Sequence, residues 1–326
     1  MPQRLEQLNH WLTQNLGLPE YEIAPASSDA SFRRYFRIQF DGESRIAMDA
    51  PPQQEDSRPF VAVGQALYQA GLNVPQILKQ DLEQGFLLLS DLGSQQYLDV
   101  LSEQNVERLY GDAMGALAVM QTCAPTEDIP PYDEALLKQE MALFSDWFLT
   151  THLGLELSEK EQRLLDDTFN VLAASALEQP QVFVHRDFHS RNLMVAEHNP
   201  GILDFQDAVH GPVTYDLVSL LRDCYITWSR EQVEEWVQGY HDIALDHGII
   251  RQPMSEQFLR WFDLMGVQRH LKAIGIFARL NHRDGKPGYL DDIPRTLAYV
   301  EEVAGRYPEL SGFAEFLRER VRQTMA

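Results

Sequence analysis

Residues 181–205 constrain this chain more than any other stretch. Two short apolar runs, Val182-Phe183-Val184 and Leu193-Met194-Val195, enclose His185-Arg186-Asp187-Phe188-His189-Ser190-Arg191-Asn192. A turn, Glu197-His198-Asn199-Pro200-Gly201, then leads into Ile202-Leu203-Asp204-Phe205. Two β-prone runs separated by Asn-Pro-Gly predict a hairpin. Antiparallel pairing puts Asn192, just before the first strand, beside Asp204, near the end of the second. Asp187 then lies on the loop leading in. One carboxylate for a hydroxyl proton, with an amide and a second carboxylate for Mg²⁺, is the equipment of ATP-dependent phosphoryl transfer. The competing reading is a loop of solvated acids and histidines beside an ordinary hairpin.

Composition narrows the surroundings of that chemistry. A chain of 326 residues with 44% hydrophobic content suffices for two core-bearing units. Net charge of −22 argues against a nucleic-acid or anionic-membrane partner, since both require cationic surface. It also sets a difficulty for an ATP enzyme, which metal ions and a few local arginines must offset. No apolar run approaches a membrane span, and the N-terminal Met1-Pro2-Gln3-Arg4-Leu5 lacks an apolar signal core. Cys123 and Cys224 form no CxxC pair, which points to a reducing cytoplasm and no zinc site. No obligate protein partner is evident.

Periodicity predicts a helix over residues 1–16, carried by Leu5, Leu8, Trp11, Leu12 and Leu16. Strands follow at 21–24, 34–40 and 45–48, the last two joined by Asp41-Gly42-Glu43. Ser57 and Pro59 open a helix that Gly71 stops, and strands at 76–79 and 85–89 complete an antiparallel sheet. Ser90-Asp91-Leu92-Gly93 breaks the pattern. Beyond it the chain reads as helical, with a stripe of Val106, Leu109, Tyr110, Ala113, Met114 and Leu117. Further helices are expected at 134–150, 159–178, 216–228, 231–247, 255–280 and 312–324. This is an α+β fold: a small antiparallel-sheet lobe over residues 1–93 and a larger, mainly helical lobe over 94–326.

The order of His185, Asp187 and Asn192 matches the kinase catalytic loop. The stretch from Asp204-Phe205-Gln206-Asp207 through Tyr215-Asp216-Leu217 resembles the aminoglycoside phosphotransferase superfamily, whose metal-binding aspartate is followed closely by a helix-opening Asp-Leu. So short a segment leaves no room for a regulatory activation loop, which favours a small-molecule kinase. Ser28-Asp29-Ala30-Ser31-Phe32-Arg33-Arg34-Tyr35-Phe36-Arg37, Met48-Asp49-Ala50-Pro51-Pro52, Gln268-Arg269-His270-Leu271-Lys272, Ala278-Arg279-Leu280 and Arg283-Asp284-Gly285-Lys286 extend the likeness. Those words are similar to the branch of anomeric sugar kinases acting on N-acetylmuramate and N-acetylglucosamine in cell-wall recycling. The resemblance implies a bilobal protein-kinase-like fold, with ATP and Mg²⁺ as cofactors and a small sugar as acceptor. Alternatives are a kinase of the same fold for an aminoglycoside, an amino alcohol or another sugar, and a catalytically inactive nucleotide-binding scaffold.

The resemblance also implies roles. Asp187 is the base, Asn192 and Asp204 hold Mg²⁺, and the adenine meets backbone at Asp91 and Leu92 on the hinge. His185 is structural, Arg186 pairs with a nearby carboxylate, and Asp216 caps its helix while bonding back to the catalytic loop. Two features depart from the wider kinase pattern. The third strand offers Met48 where a phosphate-binding lysine is expected, and the following helix has no glutamate to orient one. Arg33, Arg34 or Arg37 must replace that charge, while Ser28 and Ser31 cradle phosphate in a glycine-free loop. On the acceptor side, Asp207 and the cations Arg269, Lys272, Arg279 and Arg283 are candidates for reading the sugar and an anionic group on it. Paired surface charges are the competing account of that cluster.

Overall fold

The computed structural model describes residues 2–27 and 32–325, so Ser28 and Ser31 lie outside the described residues. The chain divides into two compact units, Met1–Ala113 with Arg191–Asp207, and Met114–Ser190 with Ala208–Ala326.

The first unit is built on a five-stranded antiparallel sheet in the order β1-β2-β3-β5-β4. The strands are β1 (Glu22–Ser27), β2 (Arg34–Phe40), β3 (Glu43–Asp49), β4 (Ile77–Asp81) and β5 (Phe86–Ser90). Asp41 and Gly42 close the β2–β3 hairpin with φ of 49° and 79°, the left-handed pair that a two-residue turn requires. Register then sets Phe40 opposite Glu43 and Arg34 opposite Asp49. Helix α1 (Pro2–His10), with the π-helical turn Trp11–Asn15, packs Leu8, Trp11 and Leu12 against Ile38, Ala47, Phe86 and Leu88. Gly85 is forced by a close approach, because a Cβ there would stand 1.9 Å from the Ala50 carbonyl oxygen.

Helix α2 (Arg58–Gln69) buries Phe60, Val61, Val63 and Leu67, and carries no acidic residue. Helix α3 (Tyr97–Val100) follows the break in regular structure after β5. The expected hairpin is present as β7 (Leu193–Met194) and β8 (Gly201–Ile202), with Leu193 opposite Ile202. It belongs to this unit for three local reasons. The Ile202 N–H donates to the Asn73 carbonyl at 2.8 Å, and the Val195 N–H to the Gln95 carbonyl at 2.8 Å. The Phe205 ring lies 4.9 Å from that of Phe60. The first compact unit therefore runs past residue 93 to Ala113 and takes the hairpin back.

Helix α4 (Val106–Cys123) carries the chain into the second unit, which holds α5 (Glu134–Leu143), α6 (Glu159–Leu177), α7 (Tyr215–Leu221), α8 (Arg230–Asp246) and α9 (Ser255–Asp284). Helices α10 (Ile293–Ala304), α11 (Ser311–Phe316) and α12 (Arg322–Met325) end the chain. A ribbon of β6 (Gln181–Val184) and β9 (Val209–Pro212) sets up the catalytic loop, with Val184 opposite Val209. Neither β9 nor α10 is expected from the sequence. Pro294 stands in the first turn of α10, where a missing N–H costs nothing. The helix expected over 216–228 stops at Leu221. The next residues are diverted by tertiary bonds, Asp223 accepting from the Ser190 and Tyr225 backbone N–H groups at 3.0 Å each.

Candidate active site

The loop after β6 is held from below by α7. Asp216, in the first turn of that helix and fully buried, accepts the His185 N–H at 2.6 Å and the Arg186 N–H at 2.9 Å. Arg186 has φ of 77°, a left-handed conformation that costs a non-glycine residue about 1–3 kcal/mol. That turn is what presents two successive N–H groups to one carboxylate. Burial pushes the Asp216 carboxyl up to about 7, against the pull of those two donors. His185 is buried, and its Nδ1 accepts the Asp187 N–H at 3.2 Å, so the ring proton resides on Nε2. The His189 N–H donates to the Asp187 carbonyl at 3.0 Å. Ser190 closes the loop, its N–H and hydroxyl both donating to Asp223.

Asp187 itself is half-buried. Desolvation alone would raise its pKa, but Lys272, His189, Arg269 and His185 outweigh it and hold the carboxyl below its usual range. Two of those groups, Lys272 and Arg269, are cations from α9. The Lys272 ammonium is 3.1 Å from Glu140 and donates to the Tyr215 hydroxyl at 3.1 Å. Glu140, on α5, also receives the Arg186 guanidinium and the Tyr132 hydroxyl. Burial favours neutral Glu140, yet Lys272 and Arg186 keep it ionised.

In the first unit, Asn192 and Asp204 stand side by side as expected. The Leu203 N–H donates to the Asn192 carbonyl at 2.9 Å, and the Asn192 amide nitrogen is 3.5 Å from Asp204 Oδ2. Asp204 has φ of 65°, and the Gln206 amide donates to its Oδ1 at 2.8 Å. An amide and a carboxylate are the oxygen donors that a hard divalent cation takes, so this pair fits Mg²⁺. Asp207 is exposed beside them in sequence.

Met48 is buried on β3, so no cation stands at that position. The three candidate arginines all meet carboxylates: Arg33 meets Glu55 at 3.1 Å, Arg37 meets Asp91 at 2.6 Å, and Arg34 pairs with Asp49. Asp91 also accepts from Ser44 and from the Gly93 N–H, so its side chain anchors the hinge. Leu92 lies against the second strand of the Asn192–Asp204 hairpin, where a Cβ at Gly201 would be 3.0 Å from its Cδ1.

The four cations expected to read an anionic acceptor group differ in burial and partners. Arg283 is exposed and bound to Asp284 at 2.8 Å. Arg279 is half-buried and its Nε has no partner among the described residues. Lys272 is buried, and its ammonium meets Glu140 and Tyr215. Arg269 is buried, its Nε has no hydrogen-bond partner among the described residues, and its Nη1 meets the Cys224 sulfur at 3.8 Å. Sequence reasoning passes over Glu140, Tyr132, Asp223 and Gln206. Glu140 had a signal, since it falls between Leu137 and Met141 in the buried stripe of α5.

The profile of the phosphotransferase enzyme family matches residues 22–252. A protein of Pseudomonas aeruginosa named N-acetylmuramate/N-acetylglucosamine kinase is 52% identical, the match covering 96% of each chain. A Neisseria meningitidis protein of the same name is 42% identical, covering 98% of this chain and 96% of its own. Among solved structures, choline kinase LicA from Streptococcus pneumoniae is similar at a TM-score of 0.64 and 10% identity, covering 91% of this chain and 99% of its own. ADP-bound aminoglycoside phosphotransferase APH(2'')-Ib gives a TM-score of 0.61 and 16% identity, covering 91% and 98%. At those identities the likeness shows the fold alone, which is protein-kinase-like.

Proposed function

Because the chain belongs to the phosphotransferase enzyme family, we propose that it transfers the γ-phosphoryl group of ATP to the anomeric hydroxyl of N-acetylmuramate and N-acetylglucosamine, in the recycling of cell-wall sugars. The observation that carries this is 52% identity to a kinase of that name over 96% of both chains. The intact Asp187, Asn192 and Asp204 support an active enzyme over an inactive scaffold.

Asp187, held ionised, orients the acceptor hydroxyl and accepts its proton late in a direct in-line transfer. The ring oxygen withdraws electrons from the anomeric hydroxyl, making it more acidic than an ordinary alcohol, so a weak carboxylate base suffices. Asn192 and Asp204 would hold Mg²⁺, which when bound would supply charge neutralisation for the transferring phosphoryl group. Residues 1–93 serve the nucleotide, with Arg33, Arg34 or Arg37 meeting phosphate and Ser28 and Ser31 cradling it, and Asp91 and Leu92 meeting adenine. Residues 94–326 serve catalysis and the acceptor. Arg269 suits the lactyl carboxylate of N-acetylmuramate best, being a buried cation with few partners. Arg279, Arg283 and Asp207 are placed in the same acceptor set.

No helix among the described residues is long and apolar enough to cross a membrane. A cytoplasmic enzyme without nucleic-acid or obligate protein partners completes the proposal. Phosphorus NMR of the products from ATP and each sugar tests it. The expected result is a phosphate resonance coupled to the anomeric proton with both sugars. Phosphate on another carbon, or transfer only to an aminoglycoside or amino alcohol, overturns it.

A further inference from the structure

Glu140 lies under the catalytic loop with two cations on one carboxylate. One of its oxygens takes both the Arg186 guanidinium and, at 3.1 Å, the Lys272 ammonium, and the other takes the Tyr132 hydroxyl. The three phenol and amide groups around it close the set. Tyr132 and Tyr215 meet edge-on at 5.3 Å, and the Gln268 amide donates to the Tyr132 hydroxyl at 3.3 Å. Glu140 and Lys272 are both buried. A buried ion cluster of this kind adds little stability over well-packed apolar residues of the same volume. Its placement is the informative part. Arg186 belongs to the loop that carries Asp187, and its backbone is in the strained left-handed turn. That turn is fixed twice, through its N–H by Asp216 and through its side chain by Glu140.

We propose that Glu140 and Lys272 are positioning residues of phosphoryl transfer: Glu140 locks the Arg186 turn and pins Lys272 beneath the loop, and together they set the orientation and charge state of Asp187. Neither is a substrate contact, so Lys272 acts equally on both sugars. The proposal rests on the phosphotransferase reading above. The charged and titratable groups facing Asp187 are Lys272 and Arg269 from α9, His185, Arg186 and His189 from its own loop, and Asp216 from α7. Counting only Glu140, Arg186 and Lys272, the cluster carries a net charge of +1. Lys272→Met reduces it to zero, Glu140→Gln raises it to +2, and the double variant restores +1.

The experiment measures kcat and KM for ATP, N-acetylmuramate and N-acetylglucosamine from pH 5 to 9 on the full chain, with thermal melts alongside. Lys272→Met is expected to lower kcat about ten-fold or more at pH 5 relative to pH 8, an acidic limb that wild type lacks over that range. Glu140→Gln is expected to lower kcat about ten-fold without that limb, with KM for ATP within about two-fold. The double variant is expected to lose the limb introduced by Lys272→Met. Equal losses on the two sugars are part of the expectation. A selective loss on N-acetylmuramate makes Lys272 a carboxylate reader and overturns the proposal. Parallel falls in melting temperature and kcat, with no limb and no reversal in the double variant, reduce the cluster to a structural role and also overturn it. Should Lys272→Met fail to fold, Lys272→Gln takes its place, and wild-type kcat in Glu140→Gln refutes the proposal by itself. If wild type phosphorylates neither sugar, the functional reading fails first, and the same series is run on whichever acceptor it does use.

Discussion

Each unit contains a buried carboxylate clamped by two cations, and the two clamps do different things. In the first unit Asp49, fully buried, takes Arg4 from α1 and Arg34 from β2. The side chains of Arg4 and Arg34 remain 26% and 32% exposed, so water screens them. That clamp ties a terminal helix to a sheet. In the second unit the cations on Glu140 are 19% and 11% exposed, and one of them is part of the catalytic loop. Less water means a higher effective interaction at the same separation, so this clamp's charge reaches its neighbours. The same arrangement of side chains is screened where solvent reaches it, and under the proposal above it becomes part of the chemistry where solvent does not.

The largest effects are expected where each unit supplies an indispensable group. Asp204→Ala should abolish Mg²⁺-dependent turnover, because Asn192 alone does not hold a metal against two phosphates. A variant that titrates with Mg²⁺ as wild type does removes the hairpin from the mechanism. On the other side, Asp187→Asn should lower kcat roughly 10²–10⁴-fold while leaving ATP affinity nearly intact. Turnover within a few-fold of wild type would show that the second unit's charge serves some other residue.

Next come the buried and the screened arginines. Arg269→Ala should lower kcat/KM for N-acetylmuramate roughly ten- to a hundred-fold, with N-acetylglucosamine much less affected. Equal losses would mean that Arg269 supports the loop and does not read the lactyl group. Among Arg33, Arg34 and Arg37, one alanine variant should raise KM for ATP about ten-fold, the loss of a charge-assisted bond to phosphate. If all three change only the melting temperature, the screened clamps are framework throughout and the phosphate cation lies elsewhere.

The smallest effect concerns the hinge. Desolvation favours neutral Asp91, but the Arg37 and Ser44 bonds and the Gly93 N–H hold its carboxyl below the usual range. A depressed folded pKa means that the stabilisation is present above about 3.8 and lost as pH falls through the folded value. Asp91→Asn should therefore cost about 1 kcal/mol in urea melts at pH 7 and progressively less below pH 4. A loss that does not shrink with pH would place the bond's value in shape and not in charge.

The catalytic loop and its hairpin were readable because their parts are neighbours in the chain. Alternating short runs, a turn and three polar residues put Asn192 beside Asp204 with no long-range information. The five strands and most helices were readable by the same local rule. Helix α10 escaped because Pro294 looks the same in sequence whether it breaks a helix or begins one. The end of α7 escaped because Asp223 is drawn to Ser190, a partner that lies far back in the chain.

What the sequence determined by itself was the chemistry on offer: a base, an amide and a carboxylate in fixed order, an acidic chain with few cations, and no lysine on β3. Only the tertiary structure decided which cations are engaged and by what. Arg269, Lys272, Arg279 and Arg283 look alike along α9, yet one is nearly bare, one is clamped, one is half-buried and one is a solvated pair. A side chain's charge is written in its residue type, but its effect depends on burial and partners, and for Lys272 those come from helices α5 and α7, far from α9 in the chain. Periodicity reports which face of a helix turns inward. It does not report what waits there.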